Sequence, residues 1–108
     1  MAVVVSGRNL GARLPLQNGR IHLGASPVNQ SESNYFMIDD PSGRISAFHC
    51  FIEMKNDELF VVDDDSANGT TVDGVRINPG EMVPLQKGAR ICLADSCTMQ
   101  IRYERSKG

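Results

Sequence analysis

Residues 98–103 read Thr98-Met99-Gln100-Ile101-Arg102-Tyr103, apolar at every second position and polar between. A period of two belongs to a strand with one buried and one wet face. These residues end Ala89 to Lys107, a stretch without Gly or Pro and the best place in the chain for a competing helix. Its apolar positions 91, 93, 99, 101 and 103 follow alternation better than a 3.6-residue period, so the stretch reads as two strands.

The same signal recurs towards the N-terminus. Leu14 and Leu16 alternate, as do Cys50, Ile52 and Met54. Short apolar stretches return every ten residues or so: Ala2 to Val5, Ala12 to Leu16, Ile21 to Leu23, Tyr35 to Ile38, Phe48 to Met54, Leu59 to Asp63 and Ala89 to Leu93. The dipeptides Asn18-Gly19 and Asp73-Gly74 tolerate positive φ at both centres of a tight turn, so each predicts a hairpin between adjacent antiparallel strands. Lys55-Asn56-Asp57-Glu58 is a polar break between two strong strands. Strands this short bury their apolar faces most economically when two sheets pack face to face. The expected fold is all-β, a two-sheet antiparallel β-sandwich of about ten to eleven short strands.

Composition bounds what such a fold could do. The 108 residues suit one domain over 1–108, and a chain that starts in Val3-Val4-Val5 and ends in charge could be a piece of a larger protein. Eleven basic against 13 acidic residues give a net charge of −2, which lacks the positive field of a nucleic-acid binder. The opening apolar run, Ala2 to Val5, is far shorter than the roughly 20 residues of a membrane span, so no membrane partner is expected. Cys50, Cys92 and Cys97 fit no disulfide or zinc framework, which points to a reducing cytoplasm and no metal. Free cysteines in apolar strands are usually core filling, and His22 alternates with Ile21 and Leu23 as a solvent-facing strand residue. No nucleophile with its base stands out, so the expectation is a non-enzyme without cofactors. Asp64-x-Ser66-x-Asn68-Gly69 mimics the first half of a calcium loop, but its twelfth position is Val75 where a bidentate Glu is required.

Three pieces remain. Leu23-Gly24 closes the third strand, Ser46-x-x-His49 opens the fifth, and Ser66-Ala67-Asn68-Gly69-Thr70 follows the sixth, ahead of the Asp73-Gly74 turn. Over roughly Val3 to Tyr103 their order and spacing resemble the forkhead-associated (FHA) domain. The resemblance implies a sandwich that binds phosphothreonine peptides or proteins through the loops at one end. It implies phosphopeptide contacts from Arg44, Ser46 and Asn68, and structural support of the loops from Gly24, His49 and Gly69. In chemical terms a phosphate needs converging hydroxyl, amide or guanidinium donors, which these residue types supply. The chain departs from the family where Arg follows the glycine: Ala25 stands at the principal phosphate-binding position, and Ala47 follows Ser46. Ser26 to Asn34 holds no Lys or Arg to replace it. The expected function is a phosphothreonine-binding interaction module with weakened phosphate recognition; the alternative is a scaffold binding partners independently of phosphorylation.

Overall fold

The computed structural model describes residues 1–26 and 33–102. Eleven strands are present among them, with no helix long and apolar enough to cross a membrane. One sheet carries β1 (Ala2–Ser6), β2 (Arg13–Leu14), β7 (Thr70–Val72), β8 (Val75–Arg76), β10 (Arg90–Leu93) and β11 (Cys97–Ile101), in the order β2-β1-β11-β10-β7-β8. The other carries β3 (Gly19–Gly24), β4 (Tyr35–Met37), β5 (Cys50–Lys55), β6 (Glu58–Asp63) and β9 (Val83–Leu85), in the order β4-β3-β5-β6-β9. All pairings between these strands are antiparallel except β3 with β4, which run parallel with His22 opposite Tyr35. Most of the long connection from Ala25 to Asn34, and the chain beyond Arg102, lie outside the described residues.

The alternation read in the sequence places the core. Cys97, Met99 and Ile101 point inwards and are buried, while Thr98 and Gln100 are half-buried on the other face. They meet Leu23, Ile52 and Val61 of the opposite sheet in one apolar cluster. Fully burying each such side chain contributes roughly 1.5–3 kcal/mol. The middle strands break the simple pattern, since Phe51 and Val62 are buried on the outer face of their sheet. Part of the cover over Phe51 is a cation, with the Arg20 guanidinium 3.9 Å from the ring centroid and its charge paired to Glu53 at 3.0 Å. Register puts Arg20 opposite Glu53, so that pair lies across two adjacent strands.

The two dipeptides expected to form hairpin turns behave differently from each other. Asp73-Gly74 forms the hairpin turn between β7 and β8, with positive φ at both residues and Val72 opposite Val75. Asn18-Gly19 does not form a hairpin, because β2 and β3 belong to different sheets. Only Gly19 has positive φ there, whereas a tight two-residue hairpin turn of this kind needs it at both centres. Asn56 and Asp57 meet that requirement, at φ 53 and 64, and join β5 to β6.

Gly24 fixes how closely β3 approaches the turn before β5. A Cβ there would lie 1.8 Å from the Ala47 carbonyl oxygen and 2.6 Å from the Tyr35 hydroxyl, so no side chain fits without backbone movement. Gly24→Ala is therefore expected to destabilise the domain by about 1–3 kcal/mol, read as a melting temperature lower by several degrees in calorimetry. An unchanged melting temperature would show that this approach is slack.

Candidate functional site

At one end of the sandwich the end of β3, the segment 39–49, the segment 63–70 and the β10–β11 turn come together. The centre is His49, fully buried at 0% exposure. The backbone N–H of Ser46 donates to its Nδ1 at 3.1 Å, and Nε2 lies 2.8 Å from the Gly69 carbonyl oxygen. A backbone N–H can only donate, so Nδ1 is the unprotonated nitrogen and Nε2–H donates to Gly69. The neutral ring thus ties a loop of one sheet to a loop of the other.

Side chains complete the link. Ser46 Oγ accepts from the Ala67 N–H at 3.1 Å, and Asn68 Nδ2 donates to the Arg44 carbonyl at 2.8 Å. The structure therefore brings together Arg44, Ser46 and Asn68, the three residues expected to contact a peptide. Ser46 Oγ accepts here, and among the described residues neither its own proton nor the Oδ1 of exposed Asn68 has a hydrogen-bond partner. Arg44 lies differently from a simple loop charge, since its Nε donates to the Ala94 carbonyl at 3.1 Å and the guanidinium is held across the β10–β11 turn.

Each loop is wound around a carboxylate that sequence reasoning missed. Asp40 accepts from the Ser42 hydroxyl at 2.6 Å, the Ser42 N–H at 3.2 Å and the Ile45 N–H at 2.7 Å. Burial acts to raise its pKa, and these hydrogen bonds outweigh burial and hold the carboxyl below its ordinary range. Asp63, 2% exposed, accepts from the Ser66 hydroxyl at 2.5 Å, the Ser66 N–H at 3.1 Å and the Thr70 hydroxyl at 2.6 Å. Ser66 Oγ in turn accepts from the Gly69 N–H at 3.0 Å. These bonds turn Ser66 towards Asp63, while Asn68 turns towards Arg44. Aspartates followed by a hydroxyl residue two or three positions on were visible in the sequence as local turn formers.

Tyr35 was missed as well. Its hydroxyl donates to the Ala47 carbonyl and accepts from the Ser26 N–H at 3.0 Å, and burial pushes its pKa up. Phe48, 43% exposed, packs edge-on to Tyr35 and His22, so His22 is a half-buried member of an aromatic row rather than a solvent-facing residue. Two of the three thiols, Cys50 and Cys97, are buried. Burial pushes Cys50 up strongly and Cys97 up to about 11, leaving both protonated and unreactive at neutral pH.

Ala25 closes the site. Its N–H donates to the Ser46 carbonyl at 3.1 Å, and its half-buried methyl packs against the core.

A family model for the FHA domain matches residues 4–94. The chain belongs to the FHA domain family. It is similar to the solution structure of the FHA domain of an Arabidopsis thaliana hypothetical protein, at 26% identity and TM-score 0.81 over 99% of this chain and 88% of that one. It is similar in fold to the FHA domain of the CT664 protein from Chlamydia trachomatis, at 24% identity and TM-score 0.74 over 95% and 96% of the two chains. A third FHA domain, FhaA complexed with the intracellular domain of Rv3910, shares the fold at 22% identity and TM-score 0.73 over 94% and 97%. Comparison with curated proteins returned no match. FHA domains are in general non-catalytic interaction modules, and this one has their fold.

The His49 link carries a pH dependence. Burial lowers the ring's pKa below the ordinary 6.5, against the opposing pull of the Gly69 carbonyl, Asp63 and Asp40. Below about 6.5 the unfolded chain takes up a proton that the native ring refuses, so stability is lost on acidification and is level above that value. The lowered Asp40 acts in the other window, losing its contribution only as pH falls through the carboxylate range. Melting temperatures between pH about 7.5 and 5.5 should fall in the wild type, and His49→Gln should remove that part of the slope. An equal slope in both proteins would mean that the ring is already free to protonate.

Proposed function

We propose that this FHA domain, acting as one unit over residues 1–108, binds extended phosphothreonine peptides or proteins at the end formed by Gly24–Ser26, Arg44–Ala47 and Ser66–Gly69, with weakened phosphate recognition. The observation that carries the reading is the interlock of Ser46 with Ala67 and of Asn68 with Arg44. It holds a hydroxyl, an amide and a guanidinium side by side on loops braced from beneath, and a preorganised donor set binds without an ordering cost. Ser46 supplies the donor for a phosphoryl oxygen, Asn68 holds the peptide main chain, and the terminal N–H groups of Arg44 meet negative charge. A solved structure from a study of phosphothreonine-dependent FHA domain interactions shares the fold at 21% identity and TM-score 0.74. The domain needs no cofactor in this role. Its cysteines are free, which fits a reducing compartment such as the cytoplasm.

One observation favours a second reading, partner binding independent of phosphate. The Ala25 methyl packs against the core, and Arg20 is engaged by Glu53 and Phe51 rather than by the loops.

Titration of matched peptides with and without the phosphate separates the two. Phosphate should tighten binding, and Ser46→Ala should remove most of the difference. Ala25→Arg should then tighten the phosphopeptide about tenfold or more, since a charge-assisted hydrogen bond contributes roughly 1.5–3 kcal/mol. Ala25→Lys should gain less, because a point charge lacks the guanidinium fork. Equal affinity for both peptides, in the wild type and in folded Ala25→Arg, would establish the phosphate-independent reading.

A further inference from the structure

We propose that Arg76 is a specificity-determining contact of the peptide site, selecting an acidic side chain of the bound peptide close to Asn68. The inference rests on peptide binding at this loop end. Arg76 belongs to none of the three loops. It lies on β8, opposite Thr71 of β7, and is exposed. Its guanidinium nevertheless reaches the loop end, because it reaches back to Gly69, two residues before Thr71. A Cβ on Gly69 would lie 2.8 Å from Arg76 Cζ and 2.9 Å from both Nε and Nη2. Three atoms of one plane at nearly equal distance from one point mean that the guanidinium lies face-on over Gly69. At φ +86 the position favours glycine, and a side chain there would have to displace the Arg76 guanidinium.

A guanidinium stacked by its face keeps its in-plane N–H donors for other partners. Arg76 forms no ion pair or hydrogen bond among the described residues. The surface on which it rests is fixed, since the Gly69 N–H donates to Ser66 and the Gly69 carbonyl accepts from His49 and from the Ala94 N–H at 3.0 Å. The Ala94 carbonyl in turn receives Arg44 Nε. Two guanidiniums thus flank the Asn68-Gly69 tip, each anchored by one part of its surface and neither neutralised by a carboxylate. An extended peptide advances about 3.3 Å per residue, so one held at Asn68 brings a neighbouring side chain within reach of Arg76. A planar fork of donors matches a carboxylate bidentately.

The test uses two degenerate peptide libraries, one with a fixed central phosphothreonine and one with threonine, selected on wild-type, Arg76→Gln and Arg76→Glu domains whose melting temperatures are measured alongside. The wild type should enrich Asp or Glu at one position. Arg76→Gln should lose the enrichment, and Arg76→Glu should turn it to Lys or Arg at the same position. For a single peptide, replacing the selected acid by Ala should weaken wild-type binding about tenfold and leave Arg76→Gln nearly unaffected. No acidic position in the wild type, or one that survives in Arg76→Glu, would overturn the role of Arg76 while leaving peptide binding intact. Equal retention of the two libraries would remove phosphate dependence alone, since the acidic preference is scored in each. If neither library is retained, the peptide reading fails and this inference falls with it.

Discussion

A neutral imidazole fully excluded from water holds the loop end together. His49 satisfies both ring nitrogens in a single tautomer, accepting from Ser46 and donating to Gly69. Ser46 precedes β5 of one sheet and Gly69 precedes β7 of the other, so the ring joins the sheets at the place where their strands have ended. Further contacts of the site start from those two residues. From Ser46 the bonds run to Ala67, and from Gly69 they run to Ser66 and to Ala94 of the β10–β11 turn. Loops without such a brace would be ordered only at the moment of binding, and the ordering would be subtracted from affinity.

The two loops are shaped by the same device. Asp40 and Asp63 each stand at a loop entrance and collect a hydroxyl and a backbone N–H from the residues that follow. Buried donors and acceptors are thereby satisfied without regular structure. The device leaves two fixed negative charges behind the loop tips, with Asp64 and Asp65 exposed beside them. An anion arriving at this end therefore meets repulsion that Arg44 and Arg76 offset, while Arg8 is already paired to Asp39. With alanine at position 25 the positive side of that balance is thin, which is a physical reason for weak rather than strong phosphate recognition under the proposed function.

The fold was legible where the signal is local. Alternation in residues 98–103 names the inward side chains of β11, and Asp73-Gly74 makes its hairpin because both residues turn to positive φ. Asn18-Gly19 misleads because the dipeptide says nothing about which sheet its neighbouring strands join, and β2 finds β1 while β3 finds β5. The site divides in the same way. Ser46 and His49 lie three apart and Asn68 and Gly69 are adjacent, so their pattern survives in the sequence. Arg76 and Tyr35 reach the site through strand register, Arg76 by facing Thr71 and Tyr35 by facing His22 across a parallel pair. Register is a property of the paired sheet, and a single strand does not carry it.

Position 25 is a place where the scaffold holds the backbone independently of the side chain. The backbone there is placed by two constraints that ignore its side chain: Gly24 allows Ala47 to approach, and the Ala25 N–H is bound to the Ser46 carbonyl. Neither constraint runs through the side chain, which here is a half-buried methyl packed against the core. Fold and recognition are then separately adjustable. His49, Asp40, Asp63, Tyr35 and Gly24 maintain the loop end, and the side chains that meet a ligand are free to vary around them.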